Sequence, residues 1–530
     1  MEFYQEVLYS LFVVPFTAGN GMRTSNGLRI HDGSISTLAI AIYLIGVAFV
    51  TIYVSSSPVH DDPDNAIRYF LMAIVLIGIC ALTALWIKFR RQIRENEITV
   101  NYTTNTNSTG LRLRFLWLFC IGLIVRAALS MARRFHNIAV SYHLARSYVS
   151  IIWNVLLFFF SCLQTAFISY FRNTEIVGSL GVHYGMIFIV VANLSVWFDS
   201  IVTQERHFFH LDNETMVVDK FGVETFNCIN ESSIVCFAEN AFPYVLPLVA
   251  EFCLVSIGFL FQIWSTARRS MVRNFLMTPN NPQDETTSLL NSEYVEIDQR
   301  IPAQYGARRK SALLYLSAAV GAVFVIVLII IELALLTEKK EHELRSLYMS
   351  LEVYRLLYFI IMVCLVFLGF GLLYGQCVPI SNTRAISGSE YILLFSTLGM
   401  VMYLLFGVVA GIHFHSHGSL NIAENIVDLI LVYFQTVLML QCYRYQRYRK
   451  LECLSIKNVL MLLAVMNLGL WFNDSFLQNR VPYINKFNYQ MFHQKIWDFV
   501  NGTLFPITVF FRFQSSMILY ELHHLFRIHN

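Results

Sequence analysis

Four amide residues stand in stretches that are otherwise oily. Gln164 lies in "LQTAFI" and Gln435 in "FQTVLM"; Asn193 opens "NLSVWFDS" and Asn467 opens "NLGLWFND". An amide both donates and accepts hydrogen bonds, so it can order water without carrying a fixed charge. Two readings follow. The amides glue neighbouring helices together inside a bilayer, or they narrow a hydrated path through it.

The ionisable residues in apolar surroundings sharpen the choice. The stretch "AENIVDLILVYFQT" places Glu424, Asp428 and Gln435 within about 40° of one another on a helix, along about 16 Å of its length. Charges at the centre of a membrane helix cost about 2.5–3.5 kcal/mol each on insertion scales, so they need a reason. Either Glu424 is a solvated helix end and Asp428 a structural pairing residue, or both are stepping stones for protons. Glu251 and Arg512 occupy similar places in two apolar runs and could pair. Arg126 calls for a buried partner. Asp199 and Asp474, at the ends of the repeated segments, are either vestibule carboxylates or simply exposed.

Histidine titrates near pH 6.5 when unperturbed and suits an acid sensor. The segments between apolar runs hold His207, His210 and the cluster "HFHSHG", with His413, His415 and His417. Alternating histidines could also take zinc, but three on a loop do not make a structural metal site. The sequons at Asn213, Asn230, Asn473 and Asn501 are candidate glycosylation positions. Cys228 and Cys236 are disulfide candidates where the compartment is oxidising.

The elements that must position these residues are membrane helices. The chain has 530 residues, of which 56% are hydrophobic and 14% charged. A soluble domain carries about 25% charged residues. Twelve apolar runs are long enough to span about 30 Å of hydrocarbon: 36–56, 69–87, 115–132, 150–171, 181–199, 242–264, 312–336, 354–376, 390–412, 422–442, 456–473 and 502–520. The expected fold is all-α and polytopic. Basic clusters "KFRRQIR", "ARRSMVR" and "RYQRYRK" favour cytoplasmic termini. The opening "MEFYQEVLYSLF" lacks a basic flank and does not read as a signal peptide. The expected division is a tail over 1–35, a six-helix half over 36–264, a polar cytoplasmic linker over 265–311, a second six-helix half over 312–522 and a tail over 523–530. The Gln-Thr and Asn-x-x-x-Trp pairs recur in order in the two halves, as do Phe242-Pro243 and Phe505-Pro506. That argues for a duplication with parallel halves.

With its duplicated fifth and eleventh spans and a last span "FPITVFFRFQSSMILYELHHLF", the chain resembles the otopetrins, a family of proton-selective channels. The resemblance implies a homodimer of twelve-span subunits in the plasma membrane, two barrel-like halves in each. It also implies activation by external acid, block by external zinc, and proton flow without a cofactor. It favours a constriction in each half made from Gln, Asn and a tyrosine; the third positions that the resemblance implies here are Phe252 and Phe511, which lack the hydroxyl. The resemblance also assigns a functional carboxylate to span ten, where Asp428 fits.

Other classes fit less well. A proton-coupled secondary transporter with two parallel halves is the alternative, but the loop after the second span lacks the glycines and Asp-Arg of the best-known such family. The chain has no H-E-x-x-H, G-x-S-x-G or Walker loop, so it is not expected to be an enzyme. The net charge of +3 gives no sign of a nucleic-acid partner. Protons and the lipid bilayer, sterol included, are the expected partners.

Overall fold

The computed structural model describes residues 22–23, 29–30, 64–94, 107–139, 144–174, 180–214, 216–218, 224–226, 233–276, 312–337, 341–379, 388–413, 419–447, 455–477, 488, 491–492 and 494–528. Among them the long elements are helices: α1 (Asp64–Arg94), α2 (Asn107–Ala139), α3 (Leu144–Phe171), α4 (Leu180–Glu214), α5 (Ser233–Leu276), α6 (Ala312–Thr337), α7 (Glu341–Gln376), α8 (Gly388–His413), α9 (Ser419–Cys442), α10 (Ile456–Phe476) and α11 (Gln494–Ile528). A chain in hydrocarbon must satisfy its backbone polar groups within the segment, and a helix does so. Nine of these helices are long and apolar enough to cross a membrane. The chain is thus a polytopic helical membrane protein.

The helices overrun the apolar runs that announce them. Helix α5 has 44 residues, and its last turns take in 265–276, where the sequence reads as linker. The run that reads as a span from 354 begins in α7 at Glu341. Apolarity marks only the part of a helix that lies in lipid. The polar ends continue as helix because neither stretch carries a strong breaker. The apolar run 36–56 and the segment 277–311 lie outside the described residues. Helix α4 is apolar enough only over the shorter stretch Tyr184–Ser200.

Two hydrophobic cores organise the bundle. One is built by α1–α5, with Trp471, Phe505 and Phe513 reaching in from α10 and α11. The other is built by α6–α11. Helix α1 packs on α3 and α4, α2 on α3 and α5, and α4 on α5; likewise α7 packs on α9 and α10, α8 on α9 and α11, and α10 on α11. The two groups meet where α5 touches α8 and α10, and where α11 touches α2, α4 and α5. At that seam Trp471 and Phe513 interlock edge-on with Phe115 and Phe119 of α2. Outward-facing rows are apolar. On α6 the exposed residues Leu316, Val320, Val323, Val327 and Ile330 follow a helical stripe suited to lipid.

Two glycines admit close helix approach at matching places. A side chain at Gly122 of α2 would strike Leu248 of α5, and one at Gly399 of α8 would strike Ile507 of α11. Small residues let membrane helices approach closely in this way. Leu248 follows Pro247 and Ile507 follows Pro506. Short antiparallel strands complete the fold, among them the pair Cys377–Pro379 and Tyr445–Arg447, which ties the ends of α7 and α9.

Candidate functional site: paired amides and a charged cavity

The four amides meet in two pairs. Gln164 Nε2 donates to Asn193 Oδ1 at 2.9 Å, and Asn193 Nδ2 returns a bond to Gln164 Oε1 at 3.2 Å. Gln435 Nε2 donates to Asn467 Oδ1 at 3.2 Å, and Asn467 Nδ2 donates to Gln435 Oε1 at 3.1 Å. Each asparagine nitrogen also donates to the carbonyl four residues earlier, Ile189 or Leu463, at 2.8 Å. All four side chains are fully buried. The bonds cross between α3 and α4 and between α9 and α10, which are not close packing partners elsewhere along their length.

Phe252 and Phe511 are fully buried in the first and second core respectively. A hydroxyl does approach the second amide pair, but from another helix. Tyr358 of α7 donates to the Met466 carbonyl at 2.9 Å, one residue before Asn467. Sequence reading sought the third group on α5 and α11 and missed this one.

Toward the start of α9 the second group of helices encloses a polar cavity of about 70 Å³. Glu424 and Asp428 line it, one turn apart on α9 and on the same face as Gln435. Arg355 of α7 binds Glu424, with Nε 2.9 Å from Oε1. Arg512 of α11 reaches Asp428, with Nη2 2.6 Å from both carboxylate oxygens. Its guanidinium also lies over the Phe359 and Phe511 rings, at 5.4 and 5.9 Å. Asp474 and Glu352 also line the cavity. Four carboxyls thus face two guanidiniums. Such a set can take up or release protons while both arginines keep a partner.

The other candidates divide. Arg126 of α2 finds its partner in Asp199 of α4, Nη2 to Oδ2 at 3.9 Å. Glu251 and Arg512 do not pair. Glu251, 1% exposed, accepts from Trp471 Nε1 at 3.2 Å across the seam, while Arg512 is taken by Asp428. Packing turns Glu251 toward α10 and Arg512 toward α9, so the two face different helices. Asp474 is buried and not an exposed helix end. Asn473 is 1% exposed, and its Nδ2 donates to Glu332 Oε1 at 2.9 Å. That nitrogen has no room for a glycan in the folded chain. Asn501 accepts from Tyr403 at 3.3 Å.

His413 ends α8 and is exposed; His415 and His417 lie outside the described residues. His207, His210 and Asn213 fall on the last turns of α4. Cys236 is disulfide-bonded. Cys228 and Asn230 lie outside the described residues. Arg355 and Glu332 escaped sequence reading. The second carried a signal, being the one carboxylate in the apolar run "VLIIIELALL".

These features define a helical membrane protein that gathers its amides and charges inside the bundle, away from lipid. The otopetrin family profile matches residues 204–513, more than half of the chain, and the chain belongs to that family. A curated relative, the proton channel OtopLc of Drosophila melanogaster, is 19% identical over 377 residues. The matched region is 64% of this chain but only 23% of that protein, so the chain aligns with about a quarter of its relative's length.

Proposed function

We propose that this chain is a proton-selective channel opened by external acid, passing protons into the cell. Membership of the otopetrin family and the likeness to a named proton channel support this reading. The observation that carries it is the cavity lined by Glu424, Asp428 and Asp474, on the face of α9 that leads to the Gln435–Asn467 pair. Carboxyls there accept and release protons, and the amide pair sets a constriction beyond them. The Gln164–Asn193 pair forms the matching constriction among α1–α5.

The proposed architecture is twelve spans in two parallel six-helix halves, with 36–56 as the first span. The recurring helix contacts and the Gly122 and Gly399 approaches support it. In this reading the subunit forms a homodimer in the plasma membrane with cytoplasmic termini. His413, His415 and His417 sense acid or take zinc from outside, and the chain carries glycans at Asn213, Asn230 or Asn501. A disulfide joins Cys228 to Cys236.

Whole-cell current under an imposed pH step tests the function, with sodium and potassium replaced by a large organic cation. The expected reversal potential moves by about 59 mV per pH unit. A current that vanishes when a solute or metal ion is withdrawn would instead mark a coupled transporter.

A further inference from the structure

A path for protons needs carboxyls and water, yet this cavity also holds two guanidiniums. We propose that Arg355 and Arg512 are specificity-determining residues, which exclude sodium and potassium from the cavity while leaving it open to protons. The inference rests on the reading that protons pass through this cavity.

The argument starts from what each ion requires. A metal cation sheds water only when several oxygens replace it, and a selective pore supplies them as a set. Here the arginines hold three of the oxygens that would serve, both of Asp428 and one of Glu424. Arg512 Nη2 lies 2.6 Å from both oxygens of Asp428, so neither is free of a donor. Arg355 Nε holds Glu424 Oε1 at 2.9 Å. A cation in the cavity would have to displace a guanidinium and then sit beside its positive charge.

The arginines are also fixed in place. Arg512 is 1% exposed and is flanked by the Phe359 and Phe511 rings. Fixed positive charge along a pore raises the barrier to cations.

A proton asks for much less. It needs one lone pair. When hydronium gives a proton to Glu424 Oε2, an O–H bond forms there, one O–H bond of hydronium breaks and a water remains. The Oε1 contact with Arg355 survives, and the added charge neutralises a carboxylate. Proton passage and cation exclusion are therefore compatible in one cavity, and the arginines make the difference.

Reversal potentials test this under a fixed pH gradient, as external organic cation is exchanged for sodium and then potassium. Arg355→Gln is the main variant, since the Arg355 side chain is less deeply buried than that of Arg512. The expected result is a depolarising shift on adding sodium in R355Q, absent in the wild type and absent in R355K. A purely structural ion pair would move surface expression and current size but not the reversal potential. Should R355Q fail to reach the surface, the same shift is read in R355Q/E424Q, whose two amides can bond each other and leave no unpaired carboxylate. An R355Q or R355Q/E424Q channel whose reversal potential follows pH alone overturns the inference and leaves proton conduction standing. A wild-type chain at the surface without any proton current overturns both.

Discussion

Replacing Asn467 with Leu removes three hydrogen bonds at nearly constant volume: the two shared with Gln435 and the one to the Leu463 carbonyl. Interhelical side-chain bonds in membranes contribute about 0.6 kcal/mol on average and reach about 1.7. The larger cost falls on Gln435, which is fully buried and would lose both its bonds to Asn467. An orphaned buried amide costs about 1–3 kcal/mol. The single variant should therefore lose about 2–4 kcal/mol. Replacing both members with Leu removes the orphan, so Q435L/N467L should lose less than the sum of the two single variants. The expected coupling is about 1–3 kcal/mol, read by equilibrium unfolding in mixed micelles. Gln164 and Asn193 supply an internal repeat of the experiment, because their bonds have the same pattern. Single costs that add to within about 0.5 kcal/mol would show that the two amides do not depend on each other.

Arg512→Met should destabilise by about 3–5 kcal/mol, since it strands a buried carboxylate, and R512M/D428L should recover most of that loss in the same unfolding assay. Gly122→Leu and Gly399→Leu should each cost about 1–3 kcal/mol by forcing α2 from α5 and α8 from α11, measured as a lowered melting temperature. Trp471→Phe should cost about 1–3 kcal/mol by leaving Glu251 without its donor, and the loss should shrink in an E251L background. Asn473→Gln should leave the glycosidase-sensitive mass unchanged, whereas a drop in mass would contradict the burial of that side chain.

What the sequence disclosed and what it withheld divide along a physical line. Long apolar runs announce helices because the bilayer leaves the backbone no alternative, and α1 to α11 fall on eleven such runs. The amide pairs were legible because the residues recur with their neighbours, and Glu424, Asp428 and Gln435 share a face by helical period alone. Partner choice was not legible. Arg126 and Asp199, or Arg355 and Glu424, are brought together by packing between helices far apart in sequence. The two matching tryptophans make the same point. Trp197 tilts against its neighbour Phe198, while Trp471 crosses the seam to Glu251, although their local sequences are nearly alike. The buried Asn473 satisfies a surface motif in sequence, yet its environment decides whether the motif can be used.

Each asparagine of an amide pair also donates to a main-chain carbonyl of its own helix. Turning that side chain over would set its oxygen against the carbonyl oxygen, and would oblige the glutamine to turn with it. The backbone thus fixes which atom of each two-bonded ring points where. Water chains that relay protons must reorient after every passage before the next can follow. Neither ring can act as a turnstile for that step, because its polarity is anchored to a helix. In the proposed channel, resetting the chain would therefore fall to the waters on either side, with the amides as a fixed compass rather than as moving parts.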